Sequence, residues 1–467
     1  MHTSIKIILL LVITGSLLFS CSKSGNDTST GGGTTGGNTS KLKIDSISPA
    51  SGIAGTQVTI YGKGFSTTAS SDIVTVNGKT VTVTDAELQT LRFTVPAGLG
   101  SGVVTVQVGS DKATGPAFTY VPAALISILA GGGSQGNSDG QGLSAQFQFV
   151  RALAIDTLDN LFIVDQYRIR KVTSNGTVST LAGIGTGQYL DGPAASAKFV
   201  GPEGITVNHA GDHIYVTDNG AIRLITGGNV STYAGNHNTG GGAVTLGYMD
   251  GGQATALFNL PIGIWLDNKA NQLYVADWAN LRIRAIDGSQ NTTTIAGNGT
   301  YGALDGTGVS AEFGNLQFIT GDGNGHLFVT ESGGGNGGGF PADAGHPPLY
   351  GIRRVLTSGK VTTLTGKTTS GDADGDTTAA TFSSAGSDDM GIAIDGAGKT
   401  LYVTGKGIRK VDLQTGQVTT LQLAVDQSAP GASLVTSLFS FSGIVIDSHG
   451  NLIVTDGDWI YKITLGQ

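Results

Sequence analysis

Short stretches of alternating apolar and polar residues, separated by Gly, Asn, Asp and Ser, follow one another from residue 41 to the end of the chain. This pattern is typical of β-strands joined by tight turns. From Leu125 onward a three-part pattern recurs six times: an apolar strand ending in Asp or Asn, a second apolar strand, and a third with the letters R-I-R or I-R. The first copy comprises Ala152–Asp156, Leu161–Asp165 and Arg168–Val172.

A fourth segment, V-x-T-h-x-G or a close variant (h, apolar), completes five of these units. The five copies are Val178–Gly183, Val230–Gly235, Thr292–Gly297, Val361–Gly366 and Val418–Gln422. A sixth copy, Ile126–Gly131, stands before the first unit, and the sixth unit has none after it. A strand displaced to the start of a repeat array closes a ring, so the sequence predicts a six-bladed β-propeller whose last blade borrows this strand.

The region Lys41–Pro122 has its own set of strands. The apolar alternation covers Val58–Tyr61, Ile73–Val76, Leu91–Val95 and Val103–Val108, with turn signals between the segments. About eighty residues of such strands predict a β-sandwich. The fold class is therefore all-β, a sandwich followed by a propeller.

Both regions resemble known families. Ile47–Gly52 and Gly55–Phe65 resemble the IPT/TIG immunoglobulin-like family, which implies a fold and no chemistry. The repeats resemble the NHL-repeat propeller family, including a D-G…A-x-F insertion before the first strand of five units. Its copies are Asp139–Phe147, Asp191–Phe199, Asp250–Phe258, Asp305–Phe313 and Asp374–Phe382. The whole layout is similar to the cell-surface lipoproteins of Bacteroidota.

The start of the chain resembles a bacterial lipoprotein signal. Lys6 precedes the apolar run Ile7–Leu18, and Cys21, the only cysteine, follows a small residue. An ordinary signal peptide with a chance cysteine is the alternative. We expect a signal peptide at 1–20, the lipidated Cys21 and a Gly/Ser/Thr tether at 21–40, the sandwich at 41–122 and the propeller at 123–467. The residue after Cys21 is not Asp, and this resembles the sorting signal of lipoproteins destined for the outer membrane. We therefore expect an outer-membrane location, on the periplasmic or the surface-exposed side.

Composition excludes several partners. The net charge is −8 and no basic run occurs, which argues against nucleic acid or an anionic bilayer face. We expect contact with the membrane only through the lipid anchor. The 76 glycines recur at turn positions, as expected of an all-β repeat protein.

Strand direction alternates within a blade, so the connections divide between two faces of the disc. The short first-to-second and third-to-fourth turns share one face, here called the turn face. The second-to-third turns, the links between blades and the insertion Ser332–Leu349 are expected on the other, here called the loop face. Because long loops on a rigid scaffold usually carry binding, we assign function to the loop face.

Aromatic residues of that face are the candidate ligand contacts, through stacking on sugar rings or anchoring of a protein. Packing between blades is the alternative for each of them. The leading candidates, in equivalent turns, are Tyr167, Trp278 and Trp459; the others are Tyr189, Tyr248, Tyr301, Phe340 and Tyr350.

Few residues of the sequence form a pattern that suggests catalysis. Asp156, Asp267, Asp322, Asp395 and Asp447 recur at the end of the first strand, where a ring of acids could hold a cation, but an Asp that caps its own turn is the favoured interpretation. We interpret Asp165, Asp218 and Asp277 as ion-pair partners of Arg168, Arg223 and Arg282. The histidines do not form a recognisable ligand set, and the Gly-rich segments lack a phosphate-loop Lys. We therefore expect no catalytic residue, resident metal or cofactor.

These observations favour a non-enzymatic, lipid-anchored binding protein with a glycan or protein ligand at the cell surface. Two alternatives stay open: a propeller lyase or hydrolase with a metal in the channel, and a structural scaffold of the envelope.

The anchor gives the first testable prediction. Cys21→Ser should release the protein into the soluble fraction, because a single thiol is the attachment point for the lipid. The measurement is detergent-dependent fractionation of cells that express either form, with Ser22→Ala as the matched control that keeps the cysteine. Continued partition of Cys21→Ser into detergent would contradict the assignment.

Overall fold

The computed structural model describes residues 41–465, except 97, 122, 186, 237–244, 333–348, 368–369, 384–389 and 436–440. The expected signal, Cys21 and tether lie outside these residues. Regular structure is almost entirely β-strand, and the helical segments described are short 3₁₀ turns at Ala69–Ser71, Gly142–Ser144, Trp278–Asn280, Gly308–Ser310 and Ala432–Leu434. No helix in the described part of the chain has the length and apolarity needed to cross a membrane.

The first nine strands form two facing sheets, as the sequence predicts. They are β1 (Lys43–Ser48), β2 (Ser51–Gly52), β3 (Gln57–Lys63), β4 (Asp72–Val76), β5 (Lys79–Val81), β6 (Val83–Glu87), β7 (Thr90–Thr94), β8 (Gly102–Val108) and β9 (Asp111–Tyr120). The sheet orders are β1-β3-β7-β6 and β2-β9-β8-β4-β5. Alternate side chains of both sheets, among them Ile60, Val76, Phe93 and Phe118, meet in one core.

The remaining strands form six sheets, the blades of a propeller. Blades 1 and 2 follow β10 (Ala124–Ala130) and comprise β11 (Gly140–Gln141), β12 (Val150–Ile155), β13 (Leu161–Asp165), β14 (Arg168–Val172), β15 (Thr177–Ala182), β16 (Gly192–Pro193), β17 (Pro202–Val207), β18 (Ile214–Asp218), β19 (Ala221–Thr226) and β20 (Asn229–Ala234). Blades 3 and 4 comprise β21 (Pro261–Asp267), β22 (Gln272–Asp277), β23 (Arg282–Ile286), β24 (Thr292–Ala296), β25 (Gly306–Thr307), β26 (Asn315–Gly321), β27 (His326–Ser332), β28 (Tyr350–Leu356) and β29 (Lys360–Lys367). Blades 5 and 6 comprise β30 (Gly375–Asp376), β31 (Ile392–Ile394), β32 (Thr400–Gly405), β33 (Gly407–Asp412), β34 (Gln417–Thr420), β35 (Leu423–Val425), β36 (Ile444–Ile446), β37 (Leu452–Asp456) and β38 (Trp459–Thr464).

Ring closure by an upstream strand is confirmed. β10 pairs antiparallel with β38, with Ile126 opposite Ile463, and so supplies the fourth strand of blade 6. On its other side β10 pairs in parallel with β35, which the sequence analysis did not predict. The first and last parts of the propeller are therefore held in one sheet.

The links between blades take a different path from the one expected. Each leaves the loop face, but its middle runs down the outer edge of the next blade to the turn face. In blade 1, β11 pairs with the start of β15, and Gly142 N donates to the Gly176 carbonyl of the third-to-fourth turn. The edge strands β16, β25 and β30 do the same in blades 2, 4 and 5. The links thus cover strand edges that would otherwise expose unpaired backbone groups.

Glycines of the innermost strands permit close contact between blades. A Cβ added at Gly204 would lie 2.0 Å from the Ile262 carbonyl oxygen of the next blade. Across the same seam the Thr217 hydroxyl accepts from Gly204 N and donates to that carbonyl. Thr404 and Gly391 repeat the arrangement against Ser442. The apolar cores lie between neighbouring blades, and these glycines set the spacing there.

Closure generates the second prediction. A chain that begins at residue 131 should melt well below one that begins at residue 123, because it lacks β10 and leaves an open edge on β38. Loss of the buried Ile126 and its neighbours removes at least about 4 kcal/mol, which lowers the melting temperature by roughly 10 °C. Circular dichroism melts of the two chains provide the measurement. Equal melting temperatures would show that β10 does not close the ring.

Candidate functional site

The three leading candidate residues occupy equivalent positions on the loop face. Tyr167, Trp278 and Trp459 lie in or beside the second-to-third turns of blades 1, 3 and 6, and each is half-buried. The Trp459 ring stacks on Tyr461, with ring centroids 6.2 Å apart. A Cβ added at Gly133 would lie 2.5 Å from the Trp459 indole, so the segment after β10 covers one side of that ring. The candidates therefore combine partial packing with an open surface.

A further aromatic residue, which the sequence analysis missed, joins two of these turns. Phe149 is 39% exposed, and its carbonyl accepts from Gln166 N in the turn of blade 1. The next residue, Val150, donates its N–H to the Gly457 carbonyl in the turn of blade 6. The structure thus brings Phe149 between the turns that carry Tyr167 and Trp459; these three residues are here called the aromatic patch.

Charged groups flank the patch. The Arg151 guanidinium lies 5.3 Å from the centroid of the Phe149 ring, and its Nη1 lies 2.6 Å from Oε2 of Glu203 in blade 2.

The signal for Phe149 is present in the sequence: it stands two residues after the Phe of the D-G…A-x-F motif. Blades 2, 3 and 4 have Gly201, Leu260 and Asn315 at that place.

The aromatic residues of the links mostly pack on the protein itself. Tyr189 is 5% exposed, hydrogen-bonds Thr232 and covers the Arg223 guanidinium at 4.0 Å. Burial raises the pKa of Tyr189 far above its ordinary value, so the hydroxyl stays protonated. Tyr189 is therefore part of the interior.

The other link candidates differ in exposure. Tyr248 is 44% exposed, although Arg282 lies 3.8 Å from its ring centroid and Thr294 donates a hydrogen bond to its hydroxyl. Tyr301 and Tyr350 are half-buried, and Tyr350 begins β28. Phe340 lies outside the described residues.

A buried arginine on the third strand organises the link in each of blades 1 to 5. In blade 1, Arg170 Nη1 donates to Asp165 at 2.7 Å, and Nη2 donates to Asp139 of the D-G motif at 2.8 Å. Two backbone carbonyls accept from the same nitrogens, and the Phe147 ring lies 5.3 Å away. The equivalent arginines are Arg223, Arg284, Arg353 and Arg409. The D-G…A-x-F motif therefore supplies the carboxylate and the aromatic ring that contact this arginine.

The pairing predicted for Asp218 with Arg223 is confirmed, and two others are wrong. Asp165 pairs with Arg170 and not Arg168, and Asp277 pairs with Arg284 and not Arg282. Asp165 stands directly opposite Arg168, but its carboxylate bonds the diagonal neighbour Arg170, whose guanidinium also reaches Asp139 of the link. Arg282 instead donates to the carbonyls of Asn280 and Asn298.

Blade 6 has no such arginine. Tyr461 takes its place, opposite Val454, and Asp456 has no cationic partner among the described residues. Burial, and then the nearby Asp458 carboxylate, raise the pKa of Asp456 to about 6. Burial also raises the pKa of Asp458. The loop face of blade 6 therefore holds two carboxyl groups whose ionised forms are disfavoured.

The recurring acids at the end of the first strand cap their own turns, as the favoured interpretation predicts. Asp156 Oδ1 accepts from the backbone nitrogens of Leu158 and Asn160, and Asp322 Oδ1 accepts from Asn324 and His326. Asp267, Asp395 and Asp447 behave in the same way. These carboxylates therefore stabilise the hairpin turns.

One described group of side chains has possible metal ligands close together. The ligand atoms of Asp159, Asp447 and His449 lie within 4.8 Å of one another on the turn face. The Lys462 ammonium lies 2.9 Å from Asp447 Oδ2, and the Ser448 hydroxyl donates to Asp159. Burial would raise the pKa of Asp447, but Asn451 and Lys462 more than offset it and lower the pKa. Since the Lys462 ammonium already pairs with Asp447, we assign no metal to this group.

The central channel is lined by the innermost strands. Its cavity measures about 280 Å³, and most side chains along it are apolar, including Leu153, Ile205, Phe318, Ile392 and Ile444. At its turn-face end the backbone N–H of His209 donates to the Asn268 side chain, which links blades 2 and 3.

Comparisons with known proteins identify the first domain and the overall fold. The sequence profile of the IPT/TIG domain matches residues 42–120. A curated relative, the chloroplastic protein SUPPRESSOR OF QUENCHING 1 of Arabidopsis thaliana, is 45% identical over 58 residues, which is 12% of this chain and 6% of that protein. The chain thus spans a small part of that relative's length.

Similar solved structures come from Bacteroides. A structural genomics protein of unknown function from Bacteroides thetaiotaomicron is 18% identical, with 91% of this chain and 98% of that chain covered and a TM-score of 0.50. An auxiliary nutrient binding protein from Bacteroides ovatus is 15% identical, with 92% and 99% covered and a TM-score of 0.48. One with the same description from B. thetaiotaomicron is 16% identical, with 91% and 98% covered and a TM-score of 0.46. At 18% identity the likeness to the first of these structures concerns the fold alone.

The carboxyl group of Asp456, which has no cationic partner among the described residues, generates the third prediction. The pKa of Asp456 in the folded protein is about 6, above the ordinary value of 3.8, so stability falls as the pH rises from about 4 to 6 and stays lower above that. Asp456→Asn should therefore stabilise the protein at pH 8, by about 1 kcal/mol once solvent screening is allowed for, and leave it unchanged at pH 4.

Thermal melts at pH 4 and pH 8 test this expectation. Asp165→Asn is the matched control, because it removes a buried partner of Arg170 and should destabilise by about 3 kcal/mol or more at pH 8. A fall in the melting temperature of Asp456→Asn at pH 8 would contradict the assignment.

Proposed function

We propose that this protein is a non-enzymatic binding protein, lipid-anchored at the outer membrane, whose propeller offers its loop face to a glycan or protein ligand. The propeller belongs, in this proposal, to the NHL-repeat family. The anchor at Cys21 and the tether before residue 41 hold the two domains at the membrane surface.

The aromatic patch is the observation that carries the proposal. Phe149 departs from the repeat and stands between Tyr167 and Trp459 on the face opposite the short turns. Partly exposed aromatic rings beside a charged pair such as Arg151 and Glu203 suit a surface that stacks on sugar rings or anchors a protein side chain. Trp278, in the equivalent turn of blade 3, extends the candidate surface.

The patch is also rigid. Backbone hydrogen bonds fix Phe149 to the turns on both sides, and Trp459 is held between Gly133 and Tyr461. Rings held in place lose little conformational entropy when a ligand binds, which favours affinity.

The fourth prediction concerns these rings. Trp459→Ala, Tyr167→Ala and Trp278→Ala should each weaken binding about fivefold, because one stacked ring contributes on the order of 1 kcal/mol beyond its area. Leu158→Ala is the matched control: Leu158 is 73% exposed and lies in a first-to-second turn on the turn face.

Two ligand classes and the enzymatic alternative are separated by three measurements on the purified protein. A glycan array tests sugars, crosslinking on intact cells tests surface proteins, and metal analysis with a chelator tests the channel enzyme. Ligand binding that the three aromatic variants weaken, at unchanged melting temperature, supports the proposal. Binding indifferent to all three, or stoichiometric metal with a chelator-sensitive activity, would refute it.

A further inference from the structure

A second cleft lies on the turn face between blades 3 and 4, away from the aromatic patch. Its volume is about 650 Å³. Tyr274, Ala285 and Ile295 of blade 3 form the apolar wall, and the Gly323–Gly325 and Thr357 turns of blade 4 form the opposite wall. Ligand pockets in proteins span about 300 to 1,000 Å³, so this cleft has the size of a small-molecule site.

The short side chain of Ala285 on the third strand of blade 3 opens the cleft. Ala285 pairs with Tyr274 in the register of the third strand. The other five blades carry long side chains at that register: Lys171, Leu224, Arg354, Lys410 and Lys462. Blade 3 therefore lacks the side chain that covers this part of the seam elsewhere.

The fourth strand of blade 3 also has a smaller side chain in its seam than the fourth strand of blade 2 has in the preceding seam. Between blades 2 and 3, Tyr233 packs edge-on against Tyr215 at 4.9 Å, and its hydroxyl reaches the Asp287 carbonyl in the next blade. Ile295 holds the position of Tyr233 in blade 3 and is too short to span the equivalent gap. The ring that fills one seam is missing from the next.

Trp265 lines the channel and lies behind Tyr274 of the cleft. Its indole stacks on Tyr274 at 5.9 Å and lies against Gly321, where an added Cβ would be 2.5 Å from the ring. Each of the other five blades has a smaller residue in place of Trp265 and a larger one in place of Gly321. The indole, packed between Tyr274 and Gly321, therefore supports the wall that Tyr274 forms.

The rim presents uncommitted polar groups. Tyr274 donates its hydroxyl proton to Gln272 Oε1, which leaves the Gln272 amide nitrogen to donate to a ligand. The hydroxyls of Thr293 and Thr357 have no hydrogen bond to a described residue, and Asp267 accepts its turn bonds at Oδ1, leaving Oδ2. Burial, and then the Asp267 carboxylate, raise the pKa of Tyr274, so its hydroxyl stays protonated at neutral pH.

The balance of these groups identifies the ligand class. One carboxylate, Asp267, and one ammonium, Lys269, cancel in charge, and the rest of the rim consists of amides and hydroxyls around an apolar wall. Such a lining pairs with many hydroxyl groups and with the apolar face of a sugar ring. We propose that this cleft binds a neutral mono- or disaccharide.

The test uses the purified full chain and a panel of glucose, galactose, N-acetylglucosamine, maltose and cellobiose. Saturation-transfer NMR and calorimetry, with sugar up to about 10 mM, detect a dissociation constant in the millimolar range or below. Ala285→Lys restores the residue of blades 1, 5 and 6 and should lower affinity at least about tenfold. Thr293→Trp should do the same by filling the cleft.

Matched controls separate loss of the site from loss of the fold. Ser179→Trp makes the same change at the equivalent exposed position of blade 1, because Ser179 pairs with Lys171 as Thr293 pairs with Ala285. Leu158→Ala changes an exposed residue of the turn face in blade 1, outside the cleft, and should leave binding in the cleft unchanged. Melting temperatures check that each variant folds.

The inference stands if at least one sugar binds the wild-type protein, if Ala285→Lys and Thr293→Trp lose that binding, and if Ser179→Trp and Leu158→Ala retain it. It is overturned if none of the five sugars binds, or if binding survives both cleft variants. Binding of free amino acids in place of sugars would also overturn it, since Asp267 and Lys269 would then recognise a zwitterion. A failure here leaves the aromatic patch untouched, because the two sites lie on opposite faces.

Discussion

Most of the propeller depends on one interaction, the buried arginine of the third strand. A guanidinium group removed from water must find acceptors for its donors, and removal of one partner from such a site costs about 3 to 5 kcal/mol. In blade 1 the acceptors of Arg170 come from Asp165 at the end of the second strand and from Asp139 in the link. The arginine therefore dictates the path of the link, and that path places an additional edge strand over each covered blade.

The outer part of the sixth blade is built differently, because this blade lacks the arginine. Its outer part is assembled from β10, borrowed from the start of the propeller, and from β35, which pairs in parallel with β10. Tyr461 replaces the guanidinium and stacks with Trp459, while Asp456 is left with a raised pKa. The seam where the ring is closed is thus also where the repeat is least regular, and the aromatic patch lies beside it.

The sequence predicts the features that repeat and misses those that depend on register or on a missing side chain. Six units and a displaced strand were sufficient to predict closure by β10, because period and pairing are properties of the pattern. The link path was mispredicted, since the role of the D-G motif is visible only once Arg170 and Asp139 face each other. Phe149 was overlooked as one extra ring beside a repeated Phe, although its neighbours in space are the turns of blades 1 and 6.

The cleft between blades 3 and 4 was beyond sequence reasoning for a related reason. Ala285 carries no chemistry of its own, and its importance lies in the longer side chains that the other five blades have at the same register. In a closed ring a blade cannot rotate inward to fill such a gap, because both of its neighbours are packed against it and the glycine seams fix the spacing. A deletion of side-chain volume that would collapse in an open structure therefore persists here as a cavity. This rigidity allows a propeller to present preformed sites on both faces of one disc.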